Sequence, residues 1–155
     1  MQKILVTGAS GFLGWNLCQV ATADWEVYST YFQQPIEISN TTTIRLDLTD
    51  PDTVDREITH LDPDAIIHTA AASSPNFCQE NPDLSYQINV LASERLAKIC
   101  AGNNIPFVFT SVVIVAGSGR RSAKTSGQRC GGYEGSDCFL VQHDLAPLPV
   151  LAPAP

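Results

Sequence analysis

Short apolar runs alternate along the chain with segments whose apolar residues recur every three or four positions. The runs have the length and composition of buried strands, and they predict strands at 4–6, 26–31, 43–46, 64–69 and 105–111. Helical spacing is found at three groups of apolar positions: Leu13, Leu17 and Val20; Val54, Ile58 and Leu61; and Leu84, Ile88, Ala92, Leu96 and Ile99. This alternation predicts an α/β fold with a Rossmann-like, doubly wound parallel sheet that is incomplete on its C-terminal side.

A glycine-rich turn, TGASGFLG at 7–14, joins the first strand to the first helix. Gly8 permits a tight turn, Gly11 lets the backbone approach a pyrophosphate, and Gly14 lets the helix pack closely on the strand. The helix then directs its free N–H groups and positive dipole end at the anion. This context predicts a dinucleotide-binding loop, and an ordinary turn with spare glycines is the structural alternative.

The ends of later strands supply further candidate positions. Small residues at 70–74 follow the fourth strand and leave room for a ligand, although small-residue packing would also explain them. His68 lies within that strand and is predicted to be a core histidine, not a base or a metal ligand. Asn89 lies beside the apolar stripe of its helix, so its amide is expected either to bind loop backbone or to serve the site. Predicted helix boundaries are Asp50-Pro51, Asn81-Pro82 and a stop at Gly102.

The end of the second strand bears on the choice of cofactor. A carboxylate there would bind the ribose hydroxyls of NAD and repel the additional phosphate of NADP. The segment 31–35 contains no carboxylate, and no arginine takes its place. We therefore predict NADP or NAD, with a slight preference for NADP.

Composition narrows the class of protein. The 155 residues suffice for one domain, and the net charge of −7 argues against nucleic acid as a partner. The sequence contains no apolar run of the roughly 20 residues that a membrane helix needs, and its start does not resemble a signal peptide. Five cysteines without zinc spacing are expected to be reduced thiols, with Cys18 and Cys100 buried. We predict a cytoplasmic protein without a metal site or a membrane partner.

Six segments together give a more specific indication: 7–14, Asp47-Leu48, 68–72, 78–82, 88–90 and 107–111. In these motifs residues 1–112 resemble the extended short-chain dehydrogenase/reductases, including the NAD-dependent epimerase/dehydratases. Within that family they are most similar to the dTDP-4-dehydrorhamnose reductase (RmlD-like) type. The resemblance implies an NAD(P)-binding Rossmann domain over 1–112, and an oxidoreductase that acts on nucleotide-linked deoxysugars.

The same resemblance implies roles for individual residues. The glycine loop would bind the pyrophosphate through Gly8, Ser10, Gly11, Phe12, Leu13 and Gly14. Asp47 and Leu48 would flank the adenine. The nicotinamide and its ribose would lie near Ala70, Ala71, Ser73, Thr110 and Ser111. Asn89 would support the active-site backbone or a water that relays protons.

The sequence departs from the family pattern at the catalytic positions. The expected serine or threonine after the fifth strand is Val112, and Ser111, one residue away, would face the other side of the strand. The family also needs a tyrosine followed four residues later by a lysine, but Tyr133 is followed there by Asp137 and no other tyrosine fits. Ser111 and Asn89 remain as catalytic candidates, and the chain as given is expected to be inactive.

Residues 113–155 differ in character from the rest of the chain. A small, polar and basic stretch at 117–129 precedes a proline-studded end at 145–155. Neither piece has a helical or strand period, so we predict an irregular or disordered tail and a truncated or frame-shifted version of a longer enzyme. Two other functions stay open: a sugar-nucleotide epimerase or dehydratase, and a non-catalytic dinucleotide-binding regulatory module.

Overall fold

Five parallel strands form one sheet in the computed structural model, which describes residues 1–110. The order across the sheet is β3-β2-β1-β4-β5. The strands are β1 (Lys3–Thr7), β2 (Glu26–Tyr31), β3 (Thr41–Arg45), β4 (Ala65–His68) and β5 (Phe107–Phe109). The predicted Rossmann-like α/β fold is confirmed. The predicted tail at 113–155, which includes Tyr133, lies outside the described residues, and so do Ser111 and Val112.

Helices connect the strands. They are α1 (Phe12–Ala21), α2 (Pro51–Leu61), α3 (Pro75–Glu80), α4 (Pro82–Tyr86), a π-helical segment (Gln87–Leu91) and α5 (Ala92–Asn103). The sequence predicts one helix from 82 to 102 where the structure has α4, the π segment and α5, and α3 is not predicted at all. None of the helices within 1–110 has the length and apolar character required to cross a membrane.

Apolar side chains pack on both faces of the sheet. Leu5 of β1 belongs to a core with residues of α2 and α5, whereas its neighbours Ile4 and Val6 belong to a second core with Cys18 of α1. This division follows from the alternation of side chains along a strand. It accounts for the continuous apolar run of β1, which is buried on both faces.

A side-chain cap explains the start of α2, and a left-handed residue explains the end of α5. The Asp50 carboxylate accepts a hydrogen bond from the Thr53 N–H at the start of α2, as the sequence predicts. Hydrogen bonding from Thr53 lowers the pKa of Asp50. The predicted stop at Gly102 is early, because α5 ends at Asn103 and the left-handed residue that follows is Asn104. Asparagine tolerates that conformation and can take the place of glycine there.

The buried face of α1 includes Gly14 and Cys18, whose burial the sequence predicts, but Leu13 and Val20 of the predicted apolar stripe lie outside it. Gly14 and Cys18 face the sheet, while Leu13 is 47% and Val20 is 76% exposed. A Cβ on Gly14 would lie 2.5 Å from the Gly8 carbonyl oxygen, so the helix approaches the glycine turn too closely for a large side chain. Packing distance therefore outweighs hydrophobicity on this helix. Burial raises the pKa of the Cys18 thiol to about 11, which keeps it neutral.

Candidate functional site

The carboxyl ends of β1 and β4 lie side by side at the centre of the sheet. β1 pairs with β2 on one side and with β4 on the other, so the connections leave β1 and β4 in opposite directions. Such a reversal in strand order opens a crevice at the carboxyl edge, which is where ligands bind in open α/β sheets. The glycine turn follows β1 and the small-residue loop follows β4, so the topology brings these two predicted segments together.

Gly8 and Gly14 allow close backbone packing at this crevice. Gly8 has a φ of +75°, and a Cβ there would lie 2.5 Å from the Ala70 nitrogen. A Cβ on Gly14 would meet the Gly8 carbonyl oxygen and the Thr69 hydroxyl, at 2.5 and 2.8 Å. The Thr69 hydroxyl in turn donates to the Thr7 carbonyl oxygen at 2.7 Å. These two glycines fix the turn against the loop after β4.

Gly11 has different surroundings. A Cβ on Gly11 would have one neighbour within 4 Å among the described residues, the Gly8 carbonyl oxygen at 3.4 Å. Gly11 has ordinary extended backbone angles and precedes α1, whose first turn has no side-chain cap. An uncapped helix N-terminus has N–H groups available for an anion. Gly11 therefore has an open side next to these N–H groups.

The side-chain amide of Asn89 holds the loop after β4. Its Oδ1 accepts from the Ala72 N–H at 2.7 Å, and its Nδ2 donates to the Ala72 carbonyl oxygen at 3.0 Å. The Cys78 thiol also donates to that carbonyl oxygen, at 3.2 Å. Of the two roles left open for Asn89, the structure shows the contact with loop backbone. Asn89 lies in the π-helical segment, a feature that is frequent at functional sites.

A chain of hydrogen bonds connects Asn89 with β1 through the core. The Ser93 hydroxyl donates its only proton to the Asn89 carbonyl oxygen at 2.9 Å, so it accepts from His68 Nε2, also at 2.9 Å. Burial lowers the pKa of His68 to about 4, and the ring is neutral at pH 7. Nδ1 is therefore unprotonated and accepts from the Thr7 hydroxyl at 2.6 Å. His68 is fully buried and structural, as predicted.

The other candidate residues lie at neighbouring strand ends. The Asp47 carboxylate, just after β3, accepts from the N–H and hydroxyl of Thr49 at 2.9 and 2.7 Å. Leu48 packs partly buried against the core. Thr110, just after β5, donates from both its N–H and its hydroxyl to the His68 carbonyl oxygen, at 3.0 and 3.1 Å. The Thr110 side chain is thus bound to the end of β4.

Apart from Asn89, the described candidates come from segments that follow four of the five strands, β1, β3, β4 and β5, at one edge of the sheet. Ser10, Phe12, Ala71 and Ser73 are exposed at that edge. Thr7 and Thr69 lie within the motifs at 7–14 and 68–72, but neither they nor Ser93 is predicted as an individual site residue. Ser93 lies four residues after Asn89, a helical spacing that indicates that the two side chains are neighbours. Thr69 directly follows His68 in the sequence.

Comparisons with known proteins agree with this geometry. A family model described as RmlD substrate binding domain matches residues 1–124. The chain is 33% identical over 125 residues to the D-erythronate dehydrogenase of Haemophilus influenzae. It is 31% identical over 111 residues to the methionine adenosyltransferase 2 subunit beta of Xenopus laevis. These alignments cover 74% and 71% of this chain but only 39% and 32% of the relatives.

Solved structures show the same arrangement of strands and helices. A hypothetical dTDP-4-dehydrorhamnose reductase from Sulfolobus tokodaii is 30% identical, with a TM-score of 0.63 over 70% of this chain and 38% of that one. The UDP-glucose 4-epimerase of Thermus thermophilus, solved in complex with NAD, is 27% identical. Its TM-score is 0.59 over 67% of this chain and 35% of that one.

Proposed function

Because the chain belongs to the RmlD substrate binding domain family, whose lineage comprises NAD(P)-dependent oxidoreductases and epimerases of sugar nucleotides, we propose that residues 1–110 bind a nicotinamide dinucleotide. We further propose that the whole protein catalyses the oxidation or reduction of a nucleotide-linked deoxysugar. The chain spans less than half the length of the relatives that it matches. The substrate and the activity of the whole protein are therefore part of what we propose.

The observation that carries the proposal is the contrast among three glycines. A side chain on Gly8 or Gly14 would collide with protein backbone, but a side chain on Gly11 would enter open space before an uncapped helix. A folding requirement explains Gly8 and Gly14. It does not explain Gly11, whereas close approach of a pyrophosphate does.

Each segment of the site has a distinct part in this function. The N–H groups at the start of α1 bind the pyrophosphate, and Asp47 with Leu48 borders the adenine. Asn89 fixes the backbone at Ala72, and thereby the loop beside the nicotinamide ribose. When bound, the nicotinamide supplies or accepts a hydride, and the protein contributes orientation. Because both ends of the Asn89 amide are engaged, we assign Asn89 to positioning and not to proton transfer.

A non-catalytic dinucleotide-binding module is the second candidate. The 155 residues contain no tyrosine with a lysine four positions later, which removes the usual general acid. One relative at 31% identity is named as the beta subunit of a methionine adenosyltransferase, not as a dehydrogenase. Both candidates require cofactor binding, and they differ in turnover of a sugar substrate.

The test of cofactor binding is calorimetry with NADPH and NADH on the full chain and on two glycine variants. Gly11→Val places a branched side chain on the open side of the turn. Gly102→Val is the matched control, because a Cβ at Gly102 would have no described neighbour within 4 Å. Both variants should fold, and circular dichroism checks that they do.

We expect the wild type and Gly102→Val to bind the dinucleotide alike. Gly11→Val should lose at least about tenfold in affinity, since it forfeits roughly 1.5–3 kcal/mol of charge-assisted hydrogen bonds to the pyrophosphate. Equal binding by all three proteins, or binding by none, would refute the cofactor site.

A further inference from the structure

The end of β2 lacks the carboxylate that usually selects NAD. β2 ends at Tyr31, and the residues that follow are Phe32, Gln33 and Gln34, all three exposed. An acid at this point would repel a phosphate on the adenosine ribose. The absence of a carboxylate leaves this corner of the sheet, formed by residues 31–34, without a negative charge of its own. That absence does not by itself attract a phosphate.

A positive charge reaches this corner from the neighbouring strand. Arg45 is the last residue of β3 and stands opposite Tyr31 in the strand register. Its Nε donates to the Phe32 carbonyl oxygen at 3.3 Å, so the guanidinium lies beside the first residue after β2. Arg45 lies fourteen residues after Tyr31 in sequence, and only the pairing of β2 with β3 brings the two together.

The Arg45 guanidinium takes part in none of the ion pairs within residues 1–110, so it can bind an anionic ligand. Arg45 is exposed, and the ion pairs within residues 1–110 involve Arg56, Arg95 and Lys98 instead. The acid nearest to it in sequence is Asp47, whose Oδ1 already accepts from the N–H and hydroxyl of Thr49. An arginine presents five N–H donors in a planar fork that matches a phosphate.

The glycine turn borders the same corner. The Ala9 N–H donates to the Thr30 carbonyl oxygen at 3.0 Å, which holds the turn against the last residues of β2. Ser10 follows directly and is exposed. A dinucleotide whose pyrophosphate lies at the start of α1 would therefore extend its adenosine ribose toward the end of β2 and Arg45.

We propose that Arg45 binds the ribose 2′-phosphate of NADP and so makes NADP(H) the preferred dinucleotide of this site. This inference rests on the proposed cofactor site and adds its specificity. It supplies from β3 the positive charge that the sequence around the end of β2 lacks.

The experiment is calorimetry of NADPH and NADH binding to the full chain at low salt. The variants are Arg45→Gln, Arg45→Lys and the control Arg56→Gln. Arg56 is an exposed arginine on α2 whose one ion pair within residues 1–110 is a 3.5 Å contact with its sequence neighbour Glu57. Wild type should bind NADPH at least about tenfold more tightly than NADH, the scale of a hydrogen bond to a charged group. Arg45→Gln should abolish that difference by weakening NADPH alone, and Arg45→Lys should restore part of it. The preference should also fall as salt rises.

Four results would overturn the inference, and they separate it from the proposed function. If NADH and NADPH bind equally well, or if Arg45→Gln weakens both alike, the cofactor site stands and the role of Arg45 is wrong. An equal loss of NADPH affinity in Arg56→Gln would mean a general charge effect. If neither dinucleotide binds, the inference and the proposed function fail together.

Discussion

His68 is a histidine whose two nitrogens have fixed and different roles. Ser93 can only accept from Nε2 because its proton goes to the Asn89 carbonyl oxygen, and Thr7 donates to Nδ1. A second proton on the ring would leave Nδ1 and the Thr7 hydroxyl as opposed donors. The ring also stacks with the aromatic rings of Phe107 and Phe109. Protonation is therefore disfavoured by burial and by the network alike.

This arrangement predicts a loss of stability in acid. The folded-state pKa of about 4 is below the ordinary value of 6.5, so the unfolded chain binds more protons between these pH values. Stability should fall as pH decreases from about 6.5 to about 4, with His68 contributing roughly 3 kcal/mol. Urea unfolding of the full chain at several pH values measures this dependence.

Two variants isolate the contribution of His68 from that of the carboxylates. His68→Gln cannot take up the proton, so its unfolding free energy should depend less steeply on pH in this window. His60→Gln instead removes an exposed histidine of α2 and is the matched control. Identical slopes in all three proteins would show that His68 does not titrate as the buried, neutral ring described above.

The π-helical segment determines where Asn89 can reach. A single continuous helix from 82 to 102 is the prediction from apolar spacing, yet Leu84 is 39% exposed and Ser85 is buried. A π turn shifts the side chains before it relative to those after it, so one stripe cannot run through. Local spacing contains no information about such a turn, because the contact that accompanies it, Asn89 with Ala72, spans seventeen residues.

Removal of the Asn89 amide should loosen the loop after β4. Asn89→Ala deletes two hydrogen bonds to Ala72 and should cost about 1–3 kcal/mol of unfolding free energy. The Ala72 N–H should also exchange with solvent faster, which NMR hydrogen exchange detects directly. Dinucleotide affinity should decrease as a consequence, since the loop borders the proposed ribose site.

Asn103→Ala is the control for this element. Asn103 is exposed at the end of α5, and its side-chain amide donates to the Ile99 carbonyl oxygen of its own helix, at 2.8 Å. Its replacement should change stability by no more than about 0.5 kcal/mol and leave Ala72 exchange unaltered. If Asn89→Ala behaved like this control, Asn89 would not be holding the loop.

At the scale of the whole molecule, the features of the site that could be predicted are those encoded within one turn or one strand end. The glycine turn, the α2 cap at Asp50 and the buried His68 follow from local sequence and from the position of each element in the fold. The exposure of Leu13 and Val20 on α1 could not be predicted from apolar spacing, because the helix lies against the sheet at Gly14, where a Cβ would meet the Gly8 carbonyl oxygen and the distant Thr69 hydroxyl. Arg45 beside Phe32 likewise depends on strand pairing. Contacts between segments that are distant in sequence determine these features, and the apolar spacing along the chain contains no information about such contacts.

The last prediction concerns turnover by the whole chain. Reduction of a carbonyl needs an acid at the oxygen, which typically contributes about 10²–10⁴-fold. The sequence provides no tyrosine–lysine pair at the required spacing, and Asn89 is engaged with Ala72. We therefore expect the purified 155-residue chain to bind dinucleotide without measurable oxidation of NADPH. The oxidation is monitored through the absorbance of NADPH.

The assay should offer dTDP-4-keto-6-deoxy sugars, and D-erythronate with the oxidised cofactor, because one relative is named for that sugar acid. A chain that binds cofactor but turns over neither substrate would favour the non-catalytic module. Turnover that survives repurification and disappears in Tyr133→Phe would contradict the prediction. It would mean that Tyr133 acts as the acid with a lysine brought to it by the fold and not by sequence spacing.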